Sequence, residues 1–356
     1  MRVGMLTGGG DCPGLNAVIR AAVRKGERHY GDDLVGFLDG WKGVVEGHTM
    51  GLDVERCRGI LPKGGTILGT SRTNPYKIDG AVERALKTLR SERIDALIAI
   101  GGEDTLGVAD KLAGEGVSVV GVPKTIDNDL SATEVTFGFD TAVQIASDAI
   151  DRLHTTAESH DRVMVVEVMG RHAGWIATHA GVAGGAAEVL VPEEPFDLDE
   201  IAARLRQRHD RGRYASIVVV AEGASPRAAT ADGADGANGQ AAGLATVEPG
   251  VDQFGHVRLG GIAYHVAAGI EERTGFETRV TVLGHIQRGG TPTAFDRILA
   301  TRFGIAAIDA AHEGAFGQMV ALQAGQIVRV PLAEAVGTIK TVDAGLYHGV
   351  ARVFSG

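Results

Sequence analysis

An unbroken apolar run, followed at once by glycines and acids, stands at residues 95–105, which read DALIAIGGEDT. A run of this length without alternation is typical of a strand buried on both faces, as in a parallel sheet. Five further runs have the same character, so that the predicted strands are 2–6, 95–100, 117–122, 163–168, 216–220 and 279–283. Helical patterns separate these strands, which predicts βαβ units and a layered α/β fold.

The helical spacing is clearest in three places. Apolar residues recur at helical intervals over 15–23 and over 82–89. A third pattern extends from Asp140, the predicted N-cap, to Leu153. With 356 residues, the chain is long enough for two domains of ordinary size or for one large α/β domain with additions.

Each predicted strand ends in a cluster of glycine and polar residues. The clusters read TGGGD at 7–11, GGEDT at 101–105, PKTIDND at 123–129, MGR at 169–171, AEG at 221–223 and GHIQRGG at 284–290. Ligands bind beyond the carboxyl ends of the strands in open parallel sheets. The sequence therefore predicts one active-site edge, because a structural protein has no reason to concentrate such residues there.

Two of these clusters indicate a phosphate site. The glycines at 8–10 precede a helix, so backbone N–H groups and the helix dipole can face a phosphate, although a tight turn explains them equally well. Glu103 and Asp104 stand on the second glycine loop and need a counter-charge. Mg²⁺ held by Glu103 would supply it and bridge to the donor phosphates. The alternative is a capped helix start with acids in its first turn.

A hydroxyl and two carboxylates follow the third strand. Thr125, Asp127 and Asp129 are two residues apart, so they share a face if the segment is extended. Such a set suits an acceptor alcohol that loses a proton as it attacks phosphorus, with one Asp as general base and the other orienting it. An Asx-rich turn is the structural alternative.

The charge of the chain restricts its partners. A net charge of −10 argues against a nucleic-acid surface, which needs a basic face. Positive charge therefore has to be gathered locally, and arginines next to predicted strands or on their end loops offer it. Singly, such arginines are usually surface ion pairs, but a convergent set together with His285 indicates a multiply phosphorylated substrate. The set is Arg72, Arg162, Arg171, Arg279 and Arg288.

Composition adds a predicted location and a predicted insertion. Only Cys12 and Cys57 are present, and neither a signal peptide nor an apolar run of roughly 20 residues is apparent, so we expect a cytoplasmic protein without a membrane partner. The stretch 224–250 is rich in Ala, Gly and Asp and has no apolar period. It predicts an exposed insertion or a disordered loop.

Taken in order from Thr7 to Gly290, these motifs resemble the bacterial phosphofructokinase family. The resemblance implies two similar Rossmann-like α/β lobes with parallel-rich sheets and an active site in the cleft between them. Residues 1–137, with a C-terminal part of about 291–356, would bind the phosphoryl donor. Residues of about 138–290 would bind fructose 6-phosphate and carry the insertion at about 224–250. The chain would return to the first lobe before its C-terminal helices, and residues 316–356 would form a terminal part that lies partly on the donor lobe.

The resemblance also implies a role for each matching residue. Asp127 resembles the general base for the 1-hydroxyl of fructose 6-phosphate, supported by Asp129, while Thr125 and Arg171 resemble the groups that hold the phosphoryl group in flight. Glu103 matches the carboxylate of the Mg²⁺ site, where the family more often has Asp. Sugar-phosphate contacts are implied for Met169, Gly170, Glu222, His285 and Arg288. Arg162 and Arg279 match arginines that reach a neighbouring subunit's substrate, which implies a homodimer or homotetramer with shared sites.

The donor side of the resemblance favours pyrophosphate. Donor binding is implied for Gly10, Arg72, Gly102, Asp104, Thr105 and Lys124. ATP-using relatives typically have glycine at the place of Asp104, where a carboxylate crowds and repels the α-phosphate, whereas the ammonium of Lys124 suits compact pyrophosphate. The chain is therefore similar to the pyrophosphate-dependent 6-phosphofructokinases.

Three other readings stay open at this point. The nearest is an ATP-dependent 6-phosphofructokinase. Kinases of NAD or lipids share a similar glycine loop but lack the segments at 125–129 and 284–290. A catalytically silent sugar-phosphate sensor would have lost the base or the magnesium carboxylate, both of which are present here. An assay with fructose 6-phosphate and each donor separates the first reading from the pyrophosphate enzyme.

Overall fold

A computed structural model describes residues 1–227, 246–251 and 257–354 of the chain. The strands in these ranges are β1 Arg2–Thr7, β2 Asp33–Phe37, β3 Thr49–Leu52, β4 Ala96–Gly101, β5 Val119–Pro123, β6 Val163–Val168, β7 Glu188–Leu190, β8 Ser216–Ala221, β9 Thr246–Val251, β10 Val257–Leu259, β11 Thr278–Val282, β12 Gln318–Gln323 and β13 Gln326–Pro331. All six predicted strands are present, and their ends agree with the prediction to within two residues.

The α-helices of the same ranges mostly follow the strands in alternation, as the βαβ pattern predicts. They are α1 Leu15–Lys25, α2 Trp41–Glu46, α3 Ala81–Ser91, α4 Glu103–Gly114, α5 Phe139–His160, α6 Trp175–Ala183, α7 Leu198–Asp210, α8 Ile262–Thr274, α9 Ala294–His312, α10 Leu332–Val336 and α11 Ala344–Gly349. No helix in the described ranges has both the length and the apolar character needed to span a bilayer.

The chain divides into two compact units. Unit 1 comprises 1–141, 251–256 and 288–340, and unit 2 comprises 142–250, 257–287 and 341–356. The last sixteen residues therefore group with unit 2, whereas the sequence interpretation placed a C-terminal part of about 291–356 with the first lobe. The two units have their own sheets and their own hydrophobic cores.

Unit 1 is built on a seven-stranded sheet of order β13-β12-β5-β4-β1-β2-β3. The five inner strands are parallel, and β3 and β13 pair antiparallel at the edges. Every residue of β4 is buried, which explains its unbroken apolar run. The direction in which strands are added to the sheet reverses at β1, whose neighbours are β2 on one side and β4 on the other. A ligand crevice is expected at this switch point, beyond the carboxyl ends of β1 and β4.

Unit 2 contains a four-stranded parallel sheet of order β11-β6-β8-β7. Strands β6 and β8 are fully buried, whereas β11 is an edge strand with exposed positions. Glu167 of β6 is buried and accepts hydrogen bonds from the N–H groups of Gly261 and Ala263, so a strand carboxylate caps the start of α8. Apolar residues of α7 and α8 complete the core.

The local structure differs from the sequence analysis in three places. Asp140 is not an N-cap, because α5 already begins at Phe139, and its carboxylate instead accepts a hydrogen bond from the Thr293 hydroxyl at 2.5 Å. The C-terminal part contains the hairpin β12–β13 before the helices α10 and α11, and the sequence analysis did not predict these strands. Within the predicted insertion, Ala224 is buried in the core of unit 2 and β9 pairs with β10. Residues 228–245 lie outside the described ranges.

Candidate functional site

The two glycine loops of unit 1 meet beyond the neighbouring strands β1 and β4. The N–H of Gly8 donates to the carbonyl of Ile100 at 2.9 Å. A Cβ atom at Gly8 would lie 2.5 Å from the Thr105 hydroxyl oxygen, and one at Gly101 would lie 2.3 Å from the Thr105 Cβ. Thr105 is buried between the loops, so both glycines are required by packing.

Two cationic side chains, Lys124 and Arg288, contact Gly10 of the first glycine loop. The ammonium of Lys124 donates to the carbonyl of Gly10 at 2.5 Å. The guanidinium of Arg288 lies directly against Gly10, since a Cβ atom there would be 1.7 Å from Nη1. Burial lowers the pKa of Lys124, and Arg288 lowers it further, whereas Asp129 and Asp127 oppose this change. Two cationic side chains therefore flank Gly10, an arrangement that suits an anionic ligand.

Residues 66–73 pack against the first glycine loop through hydrogen bonds to Gly9. They include Arg72, which is predicted to bind the phosphoryl donor. The Thr70 hydroxyl donates to the carbonyl of Gly9 at 2.6 Å, and the Gly9 N–H donates to the carbonyl of Ser71 at 3.2 Å. Gly9 has a φ of 78°, a backbone conformation that residues with a side chain rarely adopt. Arg72 follows directly and is exposed, so its long side chain can reach a ligand at the turn.

Helix α4 starts at the second glycine loop. Gly102 is its N-cap and provides no side-chain cap, while Glu103 and Asp104 occupy the first turn. Carboxylates at this end are stabilised by the helix dipole. The two acids therefore also agree with the alternative interpretation, a helix start with acids in its first turn. Glu103 is exposed and Asp104 is half-buried, which leaves both in reach of a ligand.

The residues of this site fit Mg²⁺ in the way that substrate-bridged sites do. Within the described residues, no group of three or more His, Cys, Asp or Glu side chains could hold a metal by itself. Mg²⁺ usually keeps several waters and is bound through one or two carboxylates together with substrate phosphates. Glu103, exposed on the second glycine loop, is a carboxylate of that kind.

The loop after β5 presents the predicted acid–base residues. Thr125, Asp127 and Asp129 are partly accessible, while the residues between them are buried. The segment is nevertheless not extended as predicted. The N–H of Asp127 donates to the Thr125 hydroxyl at 3.1 Å, and Asn128 has a φ of 51°, so the segment turns. The alternating burial still gives the three side chains a common accessible side.

In unit 2, three loops follow the adjacent strands β11, β6 and β8. The loop after β6 contains Met169, Gly170 and Arg171, and Gly170 has a φ of 134°. A Cβ atom at Gly223 would lie 1.9 Å from the carbonyl oxygen of Arg171, so the loop after β8 packs tightly on that after β6. Glu222 precedes this glycine and is partly accessible.

Gln287 joins the loop after β11 to the loop after β6. The sequence analysis assigned no role to this residue. Its side-chain oxygen accepts from the Met169 N–H at 3.3 Å, and its amide nitrogen donates to the carbonyl of Gly284 at 3.0 Å. Gln287 is fully buried. It therefore fixes the short helical turn Gly284–Arg288, which carries the exposed His285, against the loop of Met169.

Two of the predicted arginines, Arg162 and Arg279, lie away from the strand ends of unit 2 that carry Met169 and Arg171. Arg162 precedes β6 and Arg279 is the second residue of β11, so both lie at the amino ends of their strands, roughly 20 Å along the strand from the Met169 loop. Both contact the carboxylate of Glu277, Arg162 at 2.8 Å. Within unit 2 this pair therefore stands before its strands, whereas Met169, Arg171 and Glu222 follow theirs.

Arg288 also differs from the other predicted sugar-phosphate residues in its location. It belongs to unit 1, where it contacts Gly10, while Met169, Gly170, Glu222 and His285 belong to unit 2.

Lys340, like Gln287, is a residue to which the sequence analysis assigned no role. Its ammonium donates hydrogen bonds to the loop that contains Asp127 and Asp129. No sequence motif identifies it, because a single lysine near the end of a chain carries no pattern.

Comparisons with known proteins agree with this architecture. The family model described as Phosphofructokinase matches residues 2–311. A protein of Streptomyces coelicolor named pyrophosphate–fructose 6-phosphate 1-phosphotransferase is 60% identical over 355 residues, 99% of this chain and 100% of that protein. From the same organism, a protein named ATP-dependent 6-phosphofructokinase 3 is 53% identical over 347 residues, 98% of each chain.

The fold agrees with solved structures as well. A Pichia pastoris phosphofructokinase in the T-state matches with a TM-score of 0.81 and 32% identity, over 94% of this chain and 35% of that one. The present chain therefore spans about a third of that larger protein. With its family model, its full-length relatives and its fold in agreement, the chain belongs to the phosphofructokinase family.

Proposed function

We propose that this chain transfers a phosphoryl group between pyrophosphate and the 1-hydroxyl of fructose 6-phosphate, in both directions. The observation that carries the proposal is the pair of cations at Gly10, where Lys124 donates to the carbonyl and Arg288 lies against the Cα atom. Two cations on one glycine turn suit a compact and highly charged donor. The relative with 60% identity carries the corresponding name.

The accessible side chains after β5 supply the acid–base chemistry. Asp127 accepts the proton of the 1-hydroxyl as that oxygen bonds to phosphorus, and the bond from phosphorus to the leaving orthophosphate breaks. Asp129 orients the base, while Thr125 and Arg171 stabilise the transferring group. The products are fructose 1,6-bisphosphate and orthophosphate. The reverse reaction returns the proton from Asp127 to the sugar oxygen.

The remaining residues hold the donor and its metal ion. We assign the donor to unit 1, through Gly10, Arg72, Gly102, Asp104, Thr105, Lys124 and, from its location, Arg288. Glu103 would hold Mg²⁺, which neutralises charge on the donor phosphates when bound. Glu103 is exposed at the start of α4, on the glycine loop that we assign to the donor.

We assign fructose 6-phosphate to unit 2, through Met169, Gly170, Glu222 and His285. Arg162 and Arg279 lie at the amino ends of their strands, which supports the proposal that they serve the sugar phosphate of a neighbouring subunit in a homodimer or homotetramer. We also propose the cytoplasm as the compartment, in keeping with two free, buried cysteines.

Asp104 discriminates between the two donors in this proposal. It occupies the first turn of α4 and is half-buried, so its carboxylate limits the space and the charge available beyond the phosphate loop. Two like charges about 4 Å apart cost about 4 kcal/mol at an effective dielectric near 20, which is roughly a thousandfold in affinity. The α-phosphate of ATP would meet this repulsion, whereas pyrophosphate lacks that group.

An activity assay with fructose 6-phosphate, comparing magnesium pyrophosphate with magnesium ATP, tests the proposal. We expect turnover with pyrophosphate, reverse turnover with orthophosphate, and little activity with ATP. Asp104→Gly should admit ATP, while Asp110→Gly, in the same helix, controls for the loss of helix propensity. Robust ATP turnover by the wild-type protein with none from pyrophosphate would replace this proposal with the ATP-dependent enzyme.

A further inference from the structure

The loop with the acid–base residues is bound along one side by a segment from near the end of the chain. Lys340 donates its backbone N–H to the carbonyl of Asp129 at 2.9 Å. The preceding residue, Ile339, forms an isolated antiparallel bridge with Leu130. The contact is therefore made by the backbone at and directly after Asp129, and the four residues concerned belong to unit 1.

The ammonium of Lys340 makes three further contacts with the same loop. It donates to the side-chain oxygen of Asn128 and to the carbonyls of Thr133 and Glu134, each at 2.9 Å. An ammonium has three N–H donors, so each of these oxygens can take one. A neutral amine has only two N–H groups and would leave one of the three oxygens without a hydrogen bond from Lys340.

Asn128 is the residue through which this contact reaches the two carboxylates. It is 3% exposed and has a φ of 51°, a left-handed conformation that Asn tolerates better than most residues. Its side-chain oxygen also accepts from the N–H of Thr136 at 3.1 Å. Asn128 stands between Asp127 and Asp129, so whatever fixes its side chain fixes the turn that presents them.

We propose that Lys340 is a positioning residue for phosphoryl transfer: its ammonium, through Asn128 and two loop carbonyls, holds Asp127 and Asp129 in the geometry that the reaction needs. The inference rests on the proposed function. Its ammonium contacts oxygens of the loop itself, so we assign its effect to the two carboxylates that the loop presents. Its removal should lower kcat and leave substrate binding largely unchanged.

The protonation of Lys340 supplies a second measurable consequence. Burial lowers the pKa of its ammonium to about 8, while the carboxylates of Asp129 and Glu134 oppose this change. Above that pH the amine loses one N–H donor. We therefore expect kcat to fall on the alkaline side with a midpoint of about 8, in a way that depends on the residue at 340.

The first experiment compares Lys340→Met with Lys87→Met, which replaces an exposed lysine of α3. We expect Lys340→Met to lower kcat at least about tenfold with both KM values within about threefold, and Lys87→Met to match the wild type. Amide hydrogen exchange over 127–134 should be at least about tenfold faster in Lys340→Met alone. A kcat within threefold of the wild type, or a loss confined to KM, overturns the proposal.

A second variant covers the case in which Lys340→Met does not fold. Lys340→Arg keeps the charge to above about pH 12, so the alkaline fall in kcat should move up by at least about one pH unit. An unchanged midpoint overturns the proposal. If the wild type transfers phosphate from neither donor, the proposed function fails. The exchange measurement then decides separately whether Lys340 orders the loop.

Discussion

Gly10→Ala is the substitution whose effect the structure defines most closely. The new Cβ atom would lie 1.7 Å from Nη1 of Arg288, 2.7 Å from its Cζ and 3.3 Å from its Nη2. Gly10 does not have a positive φ, so its backbone accepts alanine without strain. All three close atoms are at the far end of a flexible side chain. The guanidinium can therefore yield, by about 2 Å, to reach an ordinary contact distance.

The cost of that movement should appear in activity rather than in stability. A hydrogen bond to a charged group contributes about 1.5–3 kcal/mol, so losing one from Arg288 to the donor predicts a kcat/KM that is about 10- to 150-fold lower with pyrophosphate. The melting temperature should stay within about 4 °C of the wild type, because only a side-chain end is displaced. Gly114→Ala, at the end of α4 with no atom within 4 Å of the new Cβ, serves as the matched control.

A double-mutant cycle decides whether Arg288 transmits the effect. In an Arg288→Ala background the guanidinium is absent, so adding Gly10→Ala should lower kcat/KM by less than about threefold. Losses that simply multiply would show that the methyl group acts on something other than Arg288. A Gly10→Ala variant with nearly wild-type kcat/KM would refute the reasoning altogether, since the donor would then not depend on the guanidinium at this turn.

Two further predictions concern the base and the assembly. Asp127→Asn should lower kcat by at least about 100-fold, the scale of general-base loss, with little change in the binding of fructose 6-phosphate; a nearly normal kcat would remove the assignment. Mixing Arg162→Ala subunits with Asp127→Ser subunits should restore part of the activity, because a hybrid can combine intact residues in one site. Verified mixed oligomers without any recovery would mean that each chain builds its own site.

The sequence predicted the inner strands because their burial leaves a clear pattern. Strands β4, β6 and β8 are buried at every position, and an unbroken apolar run is the direct consequence. The hairpin β12–β13 was missed for the opposite reason, since β13 is an edge strand with mixed burial. Its turn uses Ala324 and Gly325, both with positive φ, and an alanine at the first position hides the usual Asn-Gly signal.

Contacts between distant parts of the chain could not be predicted in the same way. The pairing of Gly10 with Arg288 depends on how the chain returns to unit 1 after β11, and neither residue type announces the other. Arg162 and Arg279 lie at the amino ends of their strands, which the grouping of the arginines by closeness to a strand did not take into account. In a parallel sheet the choice of strand end decides whether a charge lies at the carboxyl ends of the strands, where ligands bind, or at the amino ends.

The packing of the phosphate loops indicates where donor preference can change without loss of the fold. Gly8 and Gly101 are both fixed by the side chain of Thr105, so a larger residue at either place would collide with the loop structure itself. Asp104 directly precedes Thr105 in the sequence. It is half-buried and lies in the first turn of α4. Its replacement alters charge and space for the donor while the interlocked residues stay in place. Donor selectivity should therefore respond to position 104 far more readily than to any of the packed glycines.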